Sequence, residues 1–119
     1  MNEVTIKRVY EPPAPDDGYR VLVDRLWPRG VSRDRADLDG WLKDVAPSPQ
    51  LRTWWNHDPA RLSEFAGRYR TELDHNPAVG ELEELLVTHP RVTLLYGAHD
   101  PLVNHAAVLR DYLSTPPRP

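Results

Sequence analysis

Asp24, Arg25, Trp27 and Arg29 stand within one short stretch of the chain, DRLWPR, and their types suit the recognition of an anion. A guanidinium forks onto phosphate or carboxylate, and an indole offers a flat wall against a ring. A second polar group, Tyr96, His99, Asp100, Asn104 and His105, lies near the other end of the sequence. An imidazole titrates near neutral pH and can pass a proton, while the free N–H groups of a helix beginning around residues 101–104 favour negative charge. Taken together, Asp24 or His105 would transfer a proton, and Arg25 and Arg29, with Lys43 and Arg52, would hold an anion. Trp27 would wall the site, and Tyr96 and Asn104 would orient the ligand. The plainer alternative has Arg25 paired with Asp24 or Asp44, Trp27 plugging the core, Asp100 capping a helix and His105 packed under a sheet.

Other chemistries find less support. His99 and His105 are not at a face-sharing helical spacing and have no obvious third ligand, so no metal is expected. Ser32, Ser48, Ser63 and Ser114 sit in no nucleophile elbow, and no glycine-rich loop cradles a phosphate; no cofactor is expected. His57 reads as a residue at the start of a helix. Trp41, Trp54 and Trp55 could stack bases with Arg52 and Lys43 on phosphates, but tryptophans at this apolar spacing are more often core.

Two strand ends would have to present these groups. Residues 18–24 alternate as a buried strand that breaks at Asp24, followed by Pro28, which cannot donate to a ladder, and Gly30. Residues 92–96, VTLLY, form a short apolar run that reads as a central strand, with a turn at Gly97. Residues 4–9 alternate as a first strand, and a proline-rich connection joins it to the second, as either a loose antiparallel or a parallel pair. Residues 25–37 read as a charged loop and residues 38–45 as a short irregular element. Ser48 with Pro49, and Asp58 with Pro59, open helices; Asn76-Pro77 opens another; and Asp100 with Pro101 opens the last, leaving a frayed tail at 115–119. Strands and helices in this order imply one α/β domain over residues 1–119, a small, mostly parallel sheet flanked by helices. The second strand and the 92–96 strand should then be adjacent and parallel, with both polar loops at one edge, where open α/β sheets bind ligands.

The bulk composition bounds the partners. At 119 residues, 39% hydrophobic and 28% charged, the chain reads as an ordinary soluble domain, with neither a membrane-spanning run nor a signal-peptide pattern. It contains no cysteine, so the expected compartment is the cytoplasm. Net charge is −3, but residues 20–52 hold a local excess of arginine and lysine around the Asp24 stretch. That distribution suits a small anionic ligand better than a long nucleic acid. Oligomeric state is not legible.

KRVYEPP at 7–13, DGYRVLVDRLWPRG at 17–30, LKDVAPSPQLR at 42–52 and LLYGAHDPLVNHAAVL at 94–109 closely resemble the YeaO-like proteins of the bacterial "domain of unknown function 488" family. The resemblance spans nearly the whole chain and implies a compact α/β domain. Longer relatives carry segments of the form LVDVRSxPxS and LLCxExxxxxCHR. Against these, Asp24 matches the strand-end aspartate and His105 the CHR histidine, while Tyr96 and Asn104 stand where the two cysteines would be. Cysteine chemistry therefore does not carry over. The expectation is a domain binding a small phosphorylated or nucleotide-like anion, with or without catalysis; the alternative is a non-catalytic nucleic-acid or regulatory binding module.

Overall fold

A computed structural model describes residues 3–114; the tail expected at 115–119 lies outside them. Four strands form one all-parallel sheet: β1 (Glu3–Arg8), β2 (Tyr19–Leu22), β3 (Gly40–Trp41) and β4 (Arg91–Tyr96), in the order β1-β4-β2-β3. The apolar run predicted to be central is central, and Val92 through Tyr96 are all buried, as a strand covered on both faces requires. β1 and β2 run parallel but are not neighbours, because β4 lies between them and pairs with both. The connection between them includes a 3-10 turn at Pro15–Asp17 and ends on Gly18 at φ +67°, where a Cβ would sit 2.3 Å from the Arg91 carbonyl oxygen. Only glycine lets the chain turn into β2 so close to the start of β4.

Alternation along β2 and β4 divides the core into two layers. Val21, Val23, Val92, Leu94 and Tyr96 face a cluster built from α2 (Pro49–Trp55), α3 (Leu62–Asp74), α4 (Ala78–Thr88) and α5 (His105–Ser114). Leu22 and Leu95 face the other way, onto Val9, Val31 and Ala36, with Trp27 and Trp41 packed against them. This second layer is thin. Its cover is the 25–37 segment, expected as a plain loop, which contains the one-turn helix α1 (Arg33–Ala36) capped by the Ser32 hydroxyl.

Helix starts mostly follow the sequence. Ser48 accepts from the Leu51 amide with Pro49 in the first turn, and Asp58 accepts from Ala60 at a 3-10 turn that leads into α3. The last helix differs. The Asp100 carboxylate accepts from Leu102 and Val103 in the loop, and the helix begins later, at His105. Asn104 caps it: Oδ1 accepts from the Ala107 amide and Nδ2 donates back to the Asp100 carbonyl, with the residue fully buried. Asp-Pro and Asn-His both read as helix starts, and the buried amide, able to donate and accept at once, is the one the packing selects. Among the described residues no helix is long and apolar enough to cross a membrane.

At the far end of the sheet Asp17 is buried among Lys7, Arg20 and the Ala14 amide. Burial alone pushes its carboxyl up, but the Ala14 N–H, Lys7 and Arg20 together outweigh that and hold it below the usual value of 3.8. A depressed carboxyl stabilises the fold above its unfolded pKa and loses that contribution as pH falls through the folded value. Thermal midpoints are therefore expected to drop on the acid side of about pH 4, and Asp17→Asn should flatten that limb. An unchanged acid limb in the variant would refute the assignment.

Candidate functional site

The carboxyl ends of the strands meet in one cleft of about 260 Å³. Tyr10 reaches it from beyond β1, residues 24–29 from beyond β2, Ala46 and Pro47 from beyond β3, and Gly97 and Ala98 from beyond β4; Arg52 and His57 come from α2 and its exit, and His105 from the first turn of α5. The adjacency that creates it is direct: Leu22 of β2 pairs with Leu95 of β4, and the Val23 amide donates to the Leu95 carbonyl at 3.0 Å. Both polar loops thus leave the sheet at the same edge, as predicted.

Asp24 is held on every side. Its Oδ2 accepts from the Gly97 amide at 2.9 Å, its carbonyl accepts from Trp41 Nε1 at 2.7 Å, and Oδ1 lies 3.2 Å from His105 Nε2. A Cβ at residue 97 would stand 3.0 Å from Oδ2, so glycine there gives the carboxylate its place. His105 Nε2 is also 3.0 Å from the Val23 carbonyl oxygen. Both neighbours of that nitrogen are acceptors, which puts the proton on Nε2 and leaves Nδ1 as the nitrogen that accepts in the neutral ring. Oδ1 of Asp24 meets His105 at ion-pair distance but not in hydrogen-bond alignment, and is otherwise unpartnered and shut from solvent.

The arginines differ in freedom. Arg25 is half-buried; its guanidinium donates to the Ala46 and Pro47 carbonyls at 3.3 and 3.4 Å and stands 4.0 Å from Asp44. The two carbonyl contacts latch the end of β2 to the segment after β3, and the approach to Asp44 is the pairing the plainer reading allowed. Arg29 and Arg52 are exposed cleft residues, and neither guanidinium is tied by a hydrogen bond or ion pair to another described residue. Trp27 lines the cleft, but its Nε1 is spent on the Val31 carbonyl, its ring meets Trp41 edge-on, and Arg33 covers it at 4.8 Å.

Three candidates fall outside. The Tyr96 side chain follows the alternation of β4 into the helix-side core, where burial raises its phenol pKa. Asn104 is spent on capping α5. Lys43 sits in a 3-10 turn with its ammonium 5.4 Å from the Trp41 ring centre, outside the cleft lining. His57, which the sequence places at the start of a helix, lines the cleft. Asn56 and His57 both take left-handed φ, which throws the imidazole back over Trp55 at 4.9 Å. Burial lowers its pKa, the neighbouring His105 and Arg52 lower it further, and Asp24 opposes them. Asn-His ahead of Asp-Pro was the available signal, since asparagine readily adopts the left-handed conformation that closes a helix.

A second depression of about 280 Å³ adjoins the first and shares Pro47, Arg52, His57 and His105 with it, adding Thr53 and Asn56. The arrangement is a cationic recess with one fixed carboxylate in its wall.

The chain is 46% identical over 111 residues to an uncharacterized protein of Mycobacterium tuberculosis, covering 93% of each, and equally so to one of Mycobacterium bovis. It is 39% identical over 110 residues to the uncharacterized protein YeaO of Escherichia coli, covering 92% of this chain and 96% of that one. No solved structure matches it. The family described as the inactive DUF488-N3 subclade matches residues 3–117. With that match and the likeness to YeaO over most of its length, the chain belongs to the YeaO-like DUF488 family.

Proposed function

We propose that this protein binds a small oxyanion in the cleft at the carboxyl ends of its strands, and binds it without turning it over. One observation carries the reading: Arg29 and Arg52, two guanidiniums without partners among the described residues, open onto a recess whose lining also holds the guanidinium of Arg25 and a single carboxylate, Asp24. Gathering like charges is costly unless an anion completes the set. Binding without catalysis agrees with the description of the matching family as an inactive subclade. The absence of cysteine and of any membrane-crossing helix among the described residues supports a cytoplasmic setting.

The rings weigh against nucleic acid. Arg33 covers Trp27, Lys43 lies over Trp41, Arg61 and Arg68 lie over Trp54, and Trp55 is stacked on Phe65 within the core. Faces already occupied by cations are poor platforms for bases. At net charge −3 only weak, salt-sensitive binding to random strands is expected.

Thermal melts with added inorganic phosphate test the reading. Phosphate should raise the midpoint of the native protein, and Arg52→Ala and Arg29→Ala should abolish most of that rise while leaving the ligand-free midpoint nearly unchanged. Losing one charge-assisted contact costs about 1.5–3 kcal/mol, enough for a tenfold or greater drop in affinity. Arg25→Ala should lower the ligand-free midpoint as well, since it also removes the latch to Ala46 and Pro47. If phosphate shifts no midpoint, or Arg29→Ala unfolds the protein, the cluster is structural and the cleft is not an anion site.

A further inference from the structure

Asp24 puts a carboxylate into the recess that the proposed function reads as an anion site, and the Gly97 amide anchors it there. We infer that the cleft selects an oxyanion that still carries a proton, a phosphoryl group of the hydrogen phosphate type, and rejects a fully ionised oxyanion of the same size such as sulfate. The inference rests on the reading of the cleft as an anion site and names the chemical class that site takes.

The argument follows from how the carboxylate is fixed. The Gly97 amide holds Oδ2, His105 stands 3.2 Å from Oδ1, and Trp41 fixes the residue's backbone carbonyl, so the carboxylate is anchored in the lining. Oδ1 is closed to solvent, yet the side chain as a whole stays 20% exposed. Its open part therefore lies away from Oδ1. A carboxylate oxygen has two lone-pair sites, and the Gly97 N–H occupies one on Oδ2. The remaining one is an acceptor that a ligand O–H can satisfy. At neutral pH phosphate and its monoesters still have such a hydrogen or acquire it readily, whereas sulfate has none.

The two ligands then meet opposite conditions. A hydrogen phosphate donates its O–H to Oδ2 and offers its other oxygens to Arg29, Arg52 and the imidazole of His57. A sulfate sets an oxygen lone pair against the same carboxylate oxygen, in a recess where partial burial leaves that repulsion poorly screened. The arginines supply attraction to both, so they give affinity, and Asp24 supplies the difference between the two. Specificity by a repelling element is a general device.

The experiment compares inorganic phosphate with sulfate on the native protein at neutral pH and matched ionic strength, by thermal melts and calorimetric titration. Phosphate should bind at least tenfold more tightly than sulfate. Asp24→Asn removes the repelling charge and should close the gap, chiefly by raising sulfate affinity; Arg52→Ala should weaken both anions and leave their ratio unchanged. Equal response of the native protein to both anions overturns the inference and leaves the anion site standing. No response to either overturns the anion site and the inference with it. The comparison on the native protein decides the matter even if Asp24→Asn fails to fold, and a gap that persists unchanged in a folded Asp24→Asn protein also overturns the inference.

Discussion

Replacing Arg20 by methionine is expected to cost about 3–5 kcal/mol, the usual penalty for breaking a buried ion pair from one side. The side chain is only 4% exposed and satisfies three acceptors in two distant parts of the chain at once. Its guanidinium donates to the Asp17 carboxylate, to the Ala36 carbonyl at 2.7 Å and to the Asp37 carbonyl at 3.0 Å. Methionine would fill much of the volume but leave two carbonyls unpaired and Asp17 with only Lys7 and the Ala14 amide. At roughly 3–6 °C per kcal/mol for a domain of this size, the midpoint should fall by about 10–30 °C. The variant Asp17→Asn/Arg20→Met should recover part of the loss, because Asp17→Asn removes the charge that Arg20→Met leaves without its main partner. Urea denaturation of the two proteins measures the difference. A loss below about 1 kcal/mol for Arg20→Met would mean that water replaces these bonds at little cost.

That cluster also explains why the thin side of the sheet stays closed. Ala36 and Asp37 belong to α1 and its end, and α1 is too short to hold itself together. Arg20 fastens it to β2, and with it the Val31 and Ala36 layer over which Trp27 and Trp41 lie. The cleft is therefore supported from the far end of the sheet. Weakening Arg20 should loosen the 25–37 segment before the helix-side core.

The legible part of this fold was whatever alternation and punctuation could carry. Residues 92–96 read as a central strand because nothing polar interrupts them except Thr93, whose hydroxyl is spent on the Asp17 carbonyl. Ser48-Pro49 and Asp58-Pro59 read as helix starts because cap and proline coincide. What failed to show depends on contacts between distant residues. Nothing local distinguishes Asp100 from Asn104 as the cap of α5; the choice falls to the residue that packing buries completely. Likewise, period-2 alternation in β4 determines that Tyr96 shares a face with Leu94, so its place in the second polar group said nothing about which way it points. Asp24, Arg25, Trp27, Arg29 and His105 converge as the two-loop argument requires, since adjacent parallel strands must end together, and Arg52 joins them from α2. The inclusion of His57 required the left-handed pair at Asn56 and His57, a backbone feature that sequence composition shows only weakly.

The second large effect should come from Trp55, which joins the core to the cleft. It is 2% exposed, stacked on Phe65 with ring centres 3.8 Å apart, and its Nε1 donates to the Asp58 carbonyl at 3.1 Å. On its other side lies the imidazole of His57. Trp55→Ala removes the largest buried side chain of the core and leaves a cavity between α2 and α3 that neighbouring helices cannot fill without moving. Truncations of this kind cost about 3–5 kcal/mol, a large share of the roughly 5–15 kcal/mol that holds a domain together. Trp55→Phe keeps the ring stack and should lose far less. The consequence for the cleft is separable from stability. With the indole gone, His57 loses the surface that holds it toward Arg52 and His105, so phosphate affinity measured well below the melting midpoint should fall in Trp55→Ala and largely return in Trp55→Phe. If Trp55→Ala keeps its full phosphate affinity while losing stability, the indole serves the core alone and His57 is not positioned through it.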